Sequence, residues 1–96
     1  MYLVHAHLRR PAQGGELPSD LRALVYESAR PEDGVEHVSV HADESSAPVL
    51  GLFLTAGSLA QAEEHAAAVC TRLLRTHPEL SGWILGRAEA PLLVID

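Results

Sequence analysis

Hydrophobic and polar positions alternate from Tyr2 to Arg9, which predicts a strand. Tyr2, Val4, Ala6 and Leu8 fall on one side, and Leu3, His5, His7 and Arg9 on the other. Pro11 to Gly15 has loop composition. The spacing of Leu17, Leu21, Leu24, Val25 and Ser28 predicts a helix over Leu17 to Arg30, with Pro18, Ser19 and Asp20 at its start and Pro31 as its stop. Glu32-Asp33-Gly34 then turns the chain. Val35 to Asp43 alternates again, Val38, Val40 and Ala42 against His37, Ser39 and His41. Asp43-Glu44-Ser45-Ser46 has hairpin-loop chemistry. Val49 to Ala56 is apolar on both faces and reads as a central strand, with Pro48 tolerated at its start.

The longest helical pattern covers Ser58 to His77. Ser58 with Gln61 fits a capping box. Leu59, Ala62, Ala66, Val69, Cys70, Leu73 and Leu74 form its apolar stripe. Pro78 ends it. Trp83 to Glu89 is the last strand, followed by Pro91 and a short apolar tail, Leu92-Leu93-Val94. The order β-α-β-β-α-β predicts an α+β, ferredoxin-like domain over residues 1–96: a four-stranded antiparallel sheet with two helices on one face.

That arrangement leaves one sheet face open, and the unusual residues fall on it. With the apolar positions turned to the helices, His5, His7, Arg9, His37, Ser39 and His41 face outward. If Ile84, Gly86 and Ala88 face the helices, Trp83 and Arg87 join them. The third strand offers either Val49, Gly51, Phe53 and Thr55 or Leu50, Leu52 and Leu54. The first set leaves a shallow depression at Gly51.

Composition narrows the chemistry. The chain has 96 residues, 47% of them hydrophobic, and a formal net charge of −6. This suits one folded domain. All seven basic residues are arginine. The acidic balance disfavours nucleic acid and anionic membrane as partners, since both need a basic face. The single cysteine, Cys70, allows no internal disulfide and fits a reducing cytoplasm. The N-terminal residues lack the basic and long apolar regions of a signal peptide. A cytoplasmic location is expected.

Three chemistries fit the open face. A pocket for a small molecule, in a non-catalytic binding or accessory protein without a cofactor, would use His5, His7, Arg9, His37, Ser39, His41, Trp83 and Arg87. A cofactor-free oxygenase, isomerase or cyclase would use one histidine as general base and Arg9 or Arg87 to hold an anion. A metal site for zinc or nickel would start from His5 and His7, whose His-x-His spacing puts both imidazoles on one side of a strand. His37 and His41 lie about 13 Å apart along their strand. The third strand separates them from His5 and His7, so a site using all four would need a second subunit or a bridging ligand. A fourth role is an adaptor that adds a partner strand along Val35 to Asp43. No Gly-rich phosphate loop or nucleophile elbow is present.

From Asp33 to about Ala68 the chain reads Asp33-Gly34-Val35-Glu36-His37-Val38-Ser39-Val40-His41, a polar loop, an apolar strand, and Ser58-Leu59-Ala60-Gln61-Ala62-Glu63-Glu64-His65. This stretch resembles the dimeric α+β-barrel superfamily, which includes the antibiotic-biosynthesis monooxygenases. The resemblance implies a homodimer with open sheet faces packed together. Where that family carries an acidic residue and an aromatic, this chain has Leu54-Thr55-Ala56, and no catalytic residue carries over.

Overall fold

The computed structural model describes residues 1–12, 15–43 and 46–91, with the side chains of 43 and 46 left aside. The expected hairpin residues Glu44 and Ser45 and the tail Leu92-Leu93-Val94 lie outside the described residues. Strands β1 (Tyr2–Arg9), β2 (Val35–Asp43), β3 (Ser46–Leu54) and β4 (Ile84–Glu89) form one antiparallel sheet in the order β2-β3-β1-β4. Helices α1 (Leu21–Ser28) and α2 (Leu59–Thr76) complete the βαββαβ order. This is the ferredoxin-like α+β arrangement.

Burial follows the pleat. Val4, Ala6, Leu8, Val38, Leu50, Leu52 and Leu54 are fully buried in one cluster with Leu21, Leu24 and Val25 of α1 and Ala62, Ala66, Val69, Cys70 and Leu73 of α2. The third strand thus turns its leucines to the helices and Val49, Gly51 and Phe53 to the open side. Burial also pushes the Cys70 thiol up to about 12, so it behaves as a small hydrophobe. Leu59 departs from the expected stripe and is 41% exposed. No helix among the described residues is long and apolar enough to cross a membrane.

Helix α1 is shorter than its pattern predicts. Residues 17–20 turn around a Leu21 N–H to Pro18 C=O bond before the helix begins. At the other end Ala29 and Arg30 are extended, as the residue before a proline prefers. The turn beyond it is a short 3-10 helix, Pro31–Asp33, closed by Gly34 at φ 73°. Its aspartate is more than turn chemistry. Asp33 is buried, accepts from the Arg30 N–H at 2.8 Å, and pairs with Arg72 of α2 at 3.0 Å. The Arg72 guanidinium also donates to the Ser28 carbonyl, and the His65 ring lies 3.2 Å from the Asp33 carbonyl. One carboxylate therefore ties α1, the turn and α2 together.

Helix α2 starts where its cap predicts. Ser58 Oγ accepts from the Gln61 N–H at 3.1 Å. The Gln61 side chain reaches back to the Gly57 N–H at 2.6 Å, one residue earlier than in a capping box.

The outer strands break the period-two pattern. In β2, Val35 stands opposite Leu54 and His37 opposite Phe53, so Glu36 is an extra residue. This lets Val35 and Val38 both pack toward the core. In β4, Arg87 stands opposite His7 and Leu85 opposite Leu8, so Gly86 is the extra residue. A one-residue shift exchanges the faces of everything before it. Leu85 and Ala88 consequently both pack on the core, Ile84 is 60% exposed, and Trp83 is buried at 6%. Trp83 thus corrects the open-face expectation: its ring fills the core, with Arg10 over it at 5.6 Å.

At Val38 the outer edge of β2 is tied to α1. The Val38 N–H donates to the Tyr26 hydroxyl at 3.0 Å, and the Val38 carbonyl accepts from Arg22 Nε at 2.8 Å. The Arg22 guanidinium lies 5.6 Å from the Tyr26 ring centre.

Candidate functional site

Strand register sets the open face in rows. One row runs His37, Phe53, Leu3; the next Ser39, Gly51, His5, Glu89; the third His41, Val49, His7, Arg87. Gly51 occupies the middle of the central row. A Cβ there would fall 2.5 Å from Ser39 Oγ, 3.7 Å from Leu3 Cδ1 and 3.8 Å from His41 Nε2. The Ser39 hydroxyl, with Leu3 and His41 around it, therefore takes the space a side chain would fill, and Gly51 is buried beneath them. His5 and His41 approach to 6.3 Å between ring centres, and His5 and His7 to 6.4 Å edge to face. His41 Nε2 lies 3.1 Å from Ser39 Oγ.

Three of the four expected histidines thus gather within one chain. His37 stands apart, its ring 5.8 Å from Phe53. Trp83 is in the core and outside this face. Arg9 and Arg87 are exposed and join His7, Leu8, Ala47 and Gly86 around a cleft of about 250 Å³ at the β4 side. Arg87 Nε is 3.1 Å from the Glu89 carboxylate, an exposed pair that a bound anion could displace at little cost. Sequence reasoning did not single out Glu89, although the alternation that turns Arg87 outward turns Glu89 outward with it.

Electrostatics set the working state of His5. Burial holds its pKa below the ordinary 6.5, and the nearby His7 and His41 lower it further. Its imidazole is neutral at pH 7, with one nitrogen able to donate and the other to accept. Among the described residues no group of three or more His, Cys, Asp or Glu side chains is arranged to hold a metal ion.

A second set of reactive residue types lies on the helical side. Ser28 Oγ is 3.4 Å from His77 Nε2, and His77 Nδ1 is 3.7 Å from Glu79. The types suggest a nucleophile, a base and an acid, but the polarity is wrong. The Ser28 hydroxyl is buried and donates to the Leu24 carbonyl at 2.9 Å, so toward His77 it can only accept. The set anchors the end of α2 to α1.

No family model, curated protein or solved structure matches this chain.

Proposed function

We propose that the open sheet face is a binding surface for a small anionic organic molecule, in a protein that acts as a non-catalytic binding or accessory partner. The convergence of His5, His7 and His41 over Gly51, beside the arginine-lined cleft, carries this reading. The cleft offers a hollow, the imidazoles and Ser39 offer adaptable hydrogen bonds, and Arg9 with Arg87 offers charge for a carboxylate at the β4 side. A homodimer belongs to the same reading. The molecule is only 18 Å through its thinnest dimension, one sheet and one helix layer, with Leu3, Val49 and Phe53 half-buried on the uncovered side. A second copy laid on that face would cover them, the arrangement that the resemblance to the dimeric α+β barrels implies.

The test is thermal melting against a panel of aromatic and aliphatic carboxylates, with zinc and nickel included, alongside solution size. A ligand present at 100 times its dissociation constant adds about 2.7 kcal/mol to stability. The expected result is a carboxylate that raises the melting temperature of the wild-type protein and not of a variant carrying Arg9→Gln and Arg87→Gln, which removes the charge from the cleft. Stabilisation by a metal that disappears in His5→Ala and His7→Ala would replace the organic ligand with a metal ion. No stabilisation by any compound would end the binding reading.

One observation favours a second reading. A histidine held neutral at pH 7 beside an arginine-lined cleft suits a general base in a cofactor-free oxygenase, isomerase or cyclase. Turnover of a stabilising ligand, lost in His5→Gln with binding retained, would decide for it.

A further inference from the structure

The helical side carries a larger hollow than the sheet face does. About 540 Å³ opens beside the C-terminal half of α2, lined by Arg30, Ala68, Thr71, Arg72, Arg75 and Thr76. This is within the size range of small-molecule sites. Three of the chain's seven arginines border it, in a protein of net charge −6. Among the described residues no carboxylate lines it. Asp33 lies behind Arg72 and fixes that guanidinium through one nitrogen at 3.0 Å. Among the described residues Arg30 and Arg75 have no carboxylate partner, and both are exposed. Ala68, one turn before Arg72, keeps the floor low.

We infer that this groove is a second binding site, independent of the sheet face, for a small phosphate-bearing molecule. A cation near a helix C-terminus offsets the helix dipole, which accounts for one arginine there. It does not account for three around one hollow, one of them contributed by the segment after α1. Arginine's planar fork matches phosphate oxygens in pairs, and lysine, absent from this chain, does not. Arg72 is pre-oriented by Asp33 and Ser28, so only Arg30 and Arg75 need to order on binding.

The experiment is calorimetric titration with inorganic pyrophosphate at low salt, using the full chain. Binding at one site per protomer is expected. Arg30→Gln and Arg75→Gln, both exposed and remote from the core, should each weaken it roughly tenfold. His5→Ala with His7→Ala should leave it unchanged, which separates this site from the sheet face. Absence of saturable binding would overturn the inference. So would binding indifferent to the two arginine substitutions, or binding lost in the histidine variant.

Discussion

The imidazoles of His5 and His41 lie 6.3 Å apart although β3 runs between their strands. Strands one removed are separated by about 9–10 Å. The rings close that distance because the residue between them, Gly51, has no side chain to hold them apart. A glycine in a central strand weakens it by the lost packing. Here the Ser39 hydroxyl takes the space, and polar side chains pack close over the strand.

His5 should titrate below 6.5 when its ring protons are followed by NMR. Burial is the larger cause, so His7→Ala or His41→Ala should raise its midpoint only part of the way back. The sign for stability follows. The unfolded state takes up the proton more readily than the folded state, so the contribution of His5 is complete above pH 6.5 and is lost as pH falls through the lowered folded value. Urea unfolding should therefore show a smaller loss between pH 7.5 and 5 in His5→Gln than in the wild type.

Removing one member of the Asp33–Arg72 pair leaves the other charge poorly compensated. Asp33→Ala should cost about 3 kcal/mol, measured by denaturant unfolding. The double variant with Arg72→Ala should lose clearly less than the sum of the two single losses, because they share one interaction.

Gly34 holds φ at 73°, and a Cβ on it would collide with the Thr55 carbonyl oxygen. Its own carbonyl accepts from the Thr55 N–H at 2.8 Å, so the turn cannot retreat without losing that bond. Gly34→Ala should lower stability by at least about 2 kcal/mol in the same assay.

The bulge at Gly86 sets the relative cost of two neighbours. Leu85→Ala should destabilise by about 2 kcal/mol, whereas Ile84→Ala should stay within about 0.5 kcal/mol. Strict alternation along β4 would reverse that order, so thermal melting of the two variants reads the register directly.

The element order, the helix-facing residues of β1 and β2, and most of the α2 stripe were legible because period-two and helical patterns are local. The outward placement of His5, His7 and His41 followed from the same alternation. Trp83 and Ile84 were misplaced because a single inserted residue reverses a strand's faces, and Gly86 announces that insertion only through its pairing partner. The gathering of His5 with His41 needed the register of a third strand. Asp33 looked like turn chemistry because its partner Arg72 is 39 positions away.

Tyr26 and Arg22 give the edge of β2 a further meaning. A strand at the rim of a sheet is a template for another chain, and its open donors and acceptors invite pairing. At Val38 both are already taken by α1. A strand added there would have to displace a tyrosine and an arginine to bond Val38. Register breaks near Glu36 and Gly86 disturb both rims as well, so a strand added along Val35–Asp43 would meet an interrupted template.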